Sequence, residues 1–295
     1  MINEVIIIKY NGEKDKMNID YKINNNLIKI RKQYIKDLNK ILFPIIDKNI
    51  ELFSKKEILN KIKIREYNPI SYCMQTYNKW VKDYNEISTL NLFCTTFSIS
   101  ADGRITDVNK ENPAHKECME DTFIICKYYL DSMIKRKKLD NEYFYNYIYN
   151  SKLMKNNSIN KYCRNYTSYL ISKGIERYYN KDYISCIHIL IPQVETILRY
   201  ICKINNIKNH KKEHNSYDNK YIKIETFKTL KDLIQILDGK NILYDFIIDF
   251  IKIYLLDYGE KGGMNYRNNI AHGIPDNMMD ENCSAIIMLL LTIIK

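Results

Sequence analysis

Apolar residues recur at intervals of three and four along most of this chain, and that spacing predicts helices. Residues 24–66 read as one or two helices with a break at Pro44, because proline cannot sit inside a helix without cost. Residues 114–136 and 140–154 carry the same pattern. Residues 160–180 and 183–205 form a pair of helices with a short joint at Lys181-Asp182. Residues 226–237 and 241–257 are two further amphipathic segments. Gly262-Gly263 break the chain, and a short helix then holds Tyr266 to Ala271. It stops at Gly273, with Pro275 just beyond. Asp276 or Asn277 caps a last helix that runs to the C-terminus, with Asp280 and Glu281 in its first turn.

Three stretches depart from the helical period. Residues 4–10 (Glu-Val-Ile-Ile-Ile-Lys-Tyr) read as a strand. Residues 92–108 place β-branched and aromatic residues on both sides of Asp102-Gly103, which predicts a β-hairpin. Residues 210–216 (His-Lys-Lys-Glu-His-Asn-Ser) read as a polar surface loop. The polar run Lys155-Asn156-Asn157-Ser158 sets a domain boundary. Residues 1–157 are then a mostly helical N-terminal region with the hairpin, and residues 158–295 are helix upon helix. The predicted class is mostly α. Eight glycines and five prolines in 295 residues agree, since a turn-rich all-β fold needs more.

With 45% hydrophobic and 27% charged residues the chain should fold rather than stay disordered. Net charge is +11, which suits an anionic partner such as RNA. Abundant Lys, Asn, Ile and Tyr would also follow from AT-rich coding, so the charge alone carries little weight. The eight cysteines are dispersed with no Cys-x-x-Cys pair, and several sit in apolar helical patterns. That predicts buried reduced thiols and excludes a zinc or disulfide framework. The opening residues have no leader pattern, and the longest apolar run, residues 285–294, is too short to span a bilayer. The expectation is a cytoplasmic protein without a membrane partner.

The chemistry concentrates in Gly263-Met264-Asn265-Tyr266-Arg267-Asn268-Asn269-Ile270-Ala271-His272-Gly273. Arg267 and His272 are five apart, roughly 140° of rotation on a regular helix, so they do not stack on one face. A long arginine can still curl towards a histidine at the helix end. A guanidinium grips a phosphate through two oxygens and stays charged as the phosphorane forms. Histidine moves protons near neutral pH. Together they suit RNA cleavage through the substrate's own 2′-OH, with no metal and no cofactor. The bland reading is a helix end, with His272 at the negative dipole terminus and Gly273 as its cap.

The segment Arg267-Asn268-Asn269-Ile270-Ala271-His272 is similar to the signature of HEPN domains, which is an arginine, a polar residue, a short spacer and a histidine. Upstream, Pro192-Gln193-Val194-Glu195-Thr196-Ile197-Leu198-Arg199 resembles a second motif of a bacterial HEPN-like group, whose members also carry the Asn265-to-Gly273 pattern. The resemblance covers about residues 160–295. It implies a C-terminal HEPN-like up-and-down helical bundle that forms a homodimer, with two Arg/His motifs meeting in one cleft. Active members are metal-independent endoribonucleases, many of them toxins or antiviral defence effectors. Others are non-catalytic binding or dimerisation modules that regulate a partner.

On this resemblance Arg267, His272 and Asn268 form the catalytic set, with Glu195, Arg199 and Asn265 as supporting or substrate-contacting residues. Glu195 and Arg199 are also an i,i+4 pair, for which a structural ion pair is the default. Expected partners are RNA (tRNA or mRNA), a second copy of the chain, and an antitoxin or regulator. The remaining candidates have plainer readings. His210 and His214 have metal-ligand spacing but polar surroundings. His188 lies in an apolar helix and reads as a core or interface histidine. Asp102-Gly103 lacks a phosphate-loop context. Tyr178 and Tyr179 could stack on bases, although most of the 26 tyrosines should pack or face water.

Overall fold

A computed structural model describes residues 40, 42–75, 96–99, 105–109, 114–217, 220–256, 265–273 and 279–294. The predicted strand at 4–10, the turn at Asp102-Gly103, the Gly262-Gly263 break, Pro275 and the cap at Asp276 or Asn277 lie outside them. The fold is mostly α, as the apolar spacing predicts.

Helix α1 (Phe43–Leu52) carries Pro44 in its first turn, where a missing N–H costs nothing, so the proline opens a helix. Ser54 and Glu57 then form a capping box on α2 (Lys55–Lys61). Strands β1 (Thr96–Ile99) and β2 (Ile105–Asn109) pair antiparallel, in the predicted hairpin. Helices α3 (Ala114–Lys137) and α4 (Asn141–Tyr149) follow, the latter capped by Asp140.

Helices α5 (Lys161–Tyr179) and α6 (Tyr183–Ile204) are the predicted pair. Asn160 and Asp182 cap their first turns, accepting from Cys163 N–H at 2.7 Å and Ser185 N–H at 3.2 Å. Their close approach is set by Gly174. A Cβ there would lie 2.4 Å from Cδ2 of the fully buried Leu190.

Several boundaries differ from expectation. The helix expected over 140–154 stops at Tyr149, and the segment expected over 241–257 is helical over Asp245–Leu255. Residues 210–216 are part of strand β3 (His210–Tyr217), which pairs antiparallel with β4 (Lys220–Phe227). A strand gets its hydrogen bonds from its neighbour's backbone and needs no apolar side chains of its own to pair. The legible signal was the alternation Tyr221-Ile222-Lys223-Ile224 in the partner. Thr226 consequently belongs to β4. Helix α7 (Leu230–Gly239) starts later than predicted, at a capping box formed by Thr229 and Asp232. Helices α8 (Asp245–Leu255), α9 (Tyr266–Ala271) and α10 (Met279–Ile293) complete the chain.

One hydrophobic cluster runs from Phe43 to Ile294. Its centre is α10, which packs against α3, α5 and α6. The core therefore passes through the 157/158 point, with α3 on one side of it and α5 and α6 on the other.

Polar ties at the rim fix how the outer helices sit. Asn68, 1% exposed, is the best satisfied of them. Its Oδ1 accepts from the N–H groups of Ile70 and Ser71, which starts the helical turn at 69–75. Its Nδ2 donates to Ile62 O and, at 2.8 Å, to Thr292 Oγ1 on α10. Asp47 on α1 accepts from Tyr128 and pairs with Arg136, both on α3. Lys127 on α3 pairs with Asp280 and Glu281 on α10. The two acids predicted to meet the helix dipole thus also hold a second helix.

Tyr178 is buried, donates to Asp131 at 2.7 Å and has its phenol pushed far up by burial. Tyr179 packs against the core and donates to Leu139 O. Neither is available to stack on a base. Among the described residues six cysteines are free thiols and five of these are buried, as expected; Cys163 is half-buried. Among the described residues one helix, α6, is long and apolar enough to cross a bilayer, and half of its apolar window is buried against protein.

Replacing Gly174 tests the α5–α6 contact. Gly174→Val adds side-chain atoms where a single Cβ already collides with a buried leucine. It should destabilise the protein by about 2 kcal/mol, within the usual range for overpacking. Chemical denaturation should show a lower midpoint with an unchanged slope. A midpoint equal to wild type would mean the helices can part at no cost.

Candidate functional site

The Arg/His segment sits on α9, a helix of six residues whose geometry follows from which residues it buries. Tyr266 and Ile270, four apart, are 4% and 5% exposed and face the core. Tyr266 stacks on Tyr254 of α8 with ring centroids 4.9 Å apart, and Tyr254 in turn contacts Phe123 and Phe250. With Tyr266 and Ile270 facing inward, Asn268, Ala271 and His272 are exposed and Arg267 is half-exposed. The spacing that separates Arg267 from His272 on a helical wheel thus leaves both accessible.

Both ends of α9 are made by left-handed residues. Asn265 enters at φ 48°, and its carbonyl accepts from the N–H groups of Asn268 and Asn269. Gly273 leaves at φ 68°, its N–H donating to Ile270 O at 3.1 Å. No atom lies within 4 Å of where a Cβ on Gly273 would be, so glycine is required there for its dihedral and not for space. His272 closes the helix as the C-cap, its N–H donating to Asn268 O at 2.9 Å.

Glu195 joins this helix to α6. One carboxylate oxygen accepts from Arg199 Nη2 at 2.8 Å, and the other faces Arg267 Nη2 at 3.4 Å. The i,i+4 ion pair expected within α6 is therefore present, and it extends across to the motif arginine. Two guanidiniums share one carboxylate, which leaves a positive excess at the site. Glu195 is mostly covered, with 15% of its side chain exposed, whereas Arg267 keeps 43%. The carboxylate is a fixed anchor and the Arg267 guanidinium is the accessible end. Arg267 Nη1 also donates to Asn268 Oδ1 at 3.2 Å.

The structure thus brings Glu195, Arg199, Arg267 and Asn268 into one network, with Asn265 shaping the helix start. His272 joins it through its backbone; its ring makes no hydrogen bond or ion pair among the described residues. His188 is exposed, with Nδ1 2.8 Å from Ile184 O, so it is not a core histidine. It faces outward because the apolar face of α6 runs through Cys186, Ile187, Leu190 and Ile191, leaving position 188 on the other side.

Arg199 has further partners that the sequence pattern did not point to. Its Nη2 donates to Lys228 O at 3.2 Å, and its guanidinium carbon lies 5.0 Å from the centre of the Phe227 ring. Reading residues 210–216 as a loop hid this. Once β3 pairs with β4, Phe227 is carried to the end of α6, with His210 opposite it in register. The Asn-x-Arg-Asn-x-x-Ala-His-Gly and Pro-Gln-x-Glu-x-x-x-Arg motifs, far apart in the chain, meet through one carboxylate. Comparison with protein-family models, with curated proteins and with solved structures finds no match to the chain.

Glu195→Ala should show whether the anchor matters. It leaves two neighbouring guanidiniums without their shared carboxylate and should cost about 1 kcal/mol, modest because the arginines are partly solvated. Glu195→Gln should recover part of the loss through hydrogen bonding. Denaturation midpoints of the two variants, compared in low and high salt, check both statements. A Glu195→Ala protein as stable as wild type would reduce the network to a surface coincidence.

Proposed function

We propose that this chain is an HEPN-type, metal-independent endoribonuclease acting as a homodimer in the cytoplasm. A toxin or antiviral defence effector is the role that fits such an activity. The observation that carries the reading is Arg267 held from behind by Glu195, with its guanidinium half-exposed and an exposed His272 on the same short helix. An anchored cation beside an unencumbered imidazole is a sparse but sufficient kit for cleaving a phosphodiester.

In the proposed reaction Arg267 binds the non-bridging phosphate oxygens, and its charge stabilises the phosphorane. One imidazole takes the proton from the ribose 2′-OH as the 2′-oxygen attacks phosphorus. The bond from phosphorus to the 5′-oxygen breaks, and that oxygen receives a proton from the imidazolium of the second copy, which becomes a neutral imidazole. The products are a 2′,3′-cyclic phosphate and a 5′-OH. Asn268 holds the arginine through its Oδ1 and supports the backbone of His272 through its carbonyl. The dimer supplies the second acid–base group, since one chain has a single motif histidine.

Cleavage of total RNA or tRNA should survive EDTA and leave cyclic phosphate ends. Loss in EDTA with rescue by magnesium would reject the mechanism. His272→Ala should abolish cleavage while leaving RNA affinity near wild type. Arg267→Ala should lose cleavage together with about tenfold in affinity, the worth of one charge-assisted bond. An active His272→Ala protein would remove the catalytic assignment. Tight RNA binding with no cleavage by wild type would instead favour a non-catalytic module that regulates a partner.

The dimer is checked separately. Sedimentation at micromolar concentration should give twice the chain mass. A monomer that still cleaves RNA would discard the shared cleft.

A further inference from the structure

Next to Arg199 lies an open groove of about 570 Å³, a size typical of sites for small organic groups. It runs along the last turns of α6 to the base of the β3–β4 hairpin. Its charged residues are Arg199, Lys203 and Lys208, His210 lines it at the hairpin end, and no acidic residue lines it among the described residues. Lys203 and Lys208 are exposed, and neither is ion-paired among the described residues. Arg199 Nε is buried and has no hydrogen-bond partner.

Flat groups gather at the same place. Phe227 is 59% exposed, so part of its ring is open to a ligand. The Arg199 guanidinium lies over its ring, and the His210 ring centroid is 4.4 Å from it. Tyr200, half-buried, lines the groove as well. Aromatic surface interleaved with unpaired cations is the combination that holds single-stranded nucleic acid. Bases stack on the rings while lysines follow the phosphates. A duplex hides its base faces and cannot use such a platform.

The groove also touches the proposed nuclease site. Arg199 lines it and shares Glu195 with Arg267. We propose that this groove binds an unpaired stretch of the RNA substrate. The bases would rest on Phe227, His210 and Tyr200, and the phosphates on Lys203 and Lys208, so that the adjoining phosphodiester is delivered to Arg267. This inference rests on the nuclease reading for its direction. It adds a place for the substrate outside the Arg/His motif.

The test measures binding of a fluorescent 12-nucleotide single-stranded RNA to the full chain in EDTA, with anisotropy as readout, beside cleavage of the same RNA. The double variant Lys203→Glu, Lys208→Glu should weaken binding at least tenfold. It should also reduce the slope of log affinity against log salt by about 1.4, the value for two single-strand phosphate contacts. Phe227→Ala should weaken binding about fivefold or more without flattening the salt slope, because it removes stacking and no charge. Both should keep the wild-type melting temperature, since all three side chains are exposed.

Groove variants that bind and cleave as wild type would overturn the groove assignment while leaving the nuclease reading intact. Wild type that binds the RNA, and loses it in the groove variants, but never cleaves would sustain the groove and defeat the nuclease. Equal affinity for the matching duplex would overturn the proposal. So would tight binding of AMP or UMP that the same variants abolish, with no effect of those variants on RNA.

Discussion

Helix α10 has no face to give to water. From Asn282 to Ile294 every residue is buried, and an all-round apolar helix can exist only when other elements enclose it. Most of the architecture follows from that demand. Helices α5 and α6 cover two sides and α3 another, α1 packs against α3, and the turn at Asn68 is tied to α10. Each fully buried Leu or Ile in α10 contributes roughly 1.5–3 kcal/mol relative to exposure. That gain outweighs the cost of ordering the outer helices one by one. The polar ties act at the ends and rim, where water would otherwise enter. Lys127 meets the acids at the first turn of α10, and Asn68 meets Thr292 near its last.

The candidate site is a by-product of the same enclosure. Tyr254, fully buried, hydrogen-bonds Asn282 Oδ1 on α10 at 3.0 Å and stacks on Tyr266. Helix α9 is too short to be stable alone and takes its position from this contact. Its inward residues are aromatic and aliphatic, so its polar residues have one direction left. Glu195 then selects which rotamer of Arg267 is used. Core packing aims the helix, and a single carboxylate aims the side chain.

Much of this was legible in the sequence, for identifiable reasons. The α5–α6 pair announced itself through two long apolar stripes and a polar joint, and α9 through a helix stop at Gly273. Arg267, His272, Glu195 and Arg199 stood out because their residue types and spacing formed a pattern. The 210–227 hairpin did not. Strand β3 is polar throughout, so period-two alternation had nothing to mark, and the evidence lay in its partner. His188 is not in the core, because an apolar helix does not bury every position and its exposed face falls there. The network among Glu195, Arg199 and Arg267 depends on α6 and α9 packing side by side, which no local pattern encodes.

The helix that the rest of the fold encloses is also made after the elements that enclose it. While a ribosome is still adding residues, the inner faces of α3, α5 and α6 have nothing to cover them. The link between Asn68 and Thr292 spans 224 positions, a long-range closure of the kind that slows folding. An emerging chain would therefore pass through a sticky, unclosed interval in which chaperones and aggregation compete for it. Helix α9, which lies between α8 and α10, would gain a firm seat only when that interval ends.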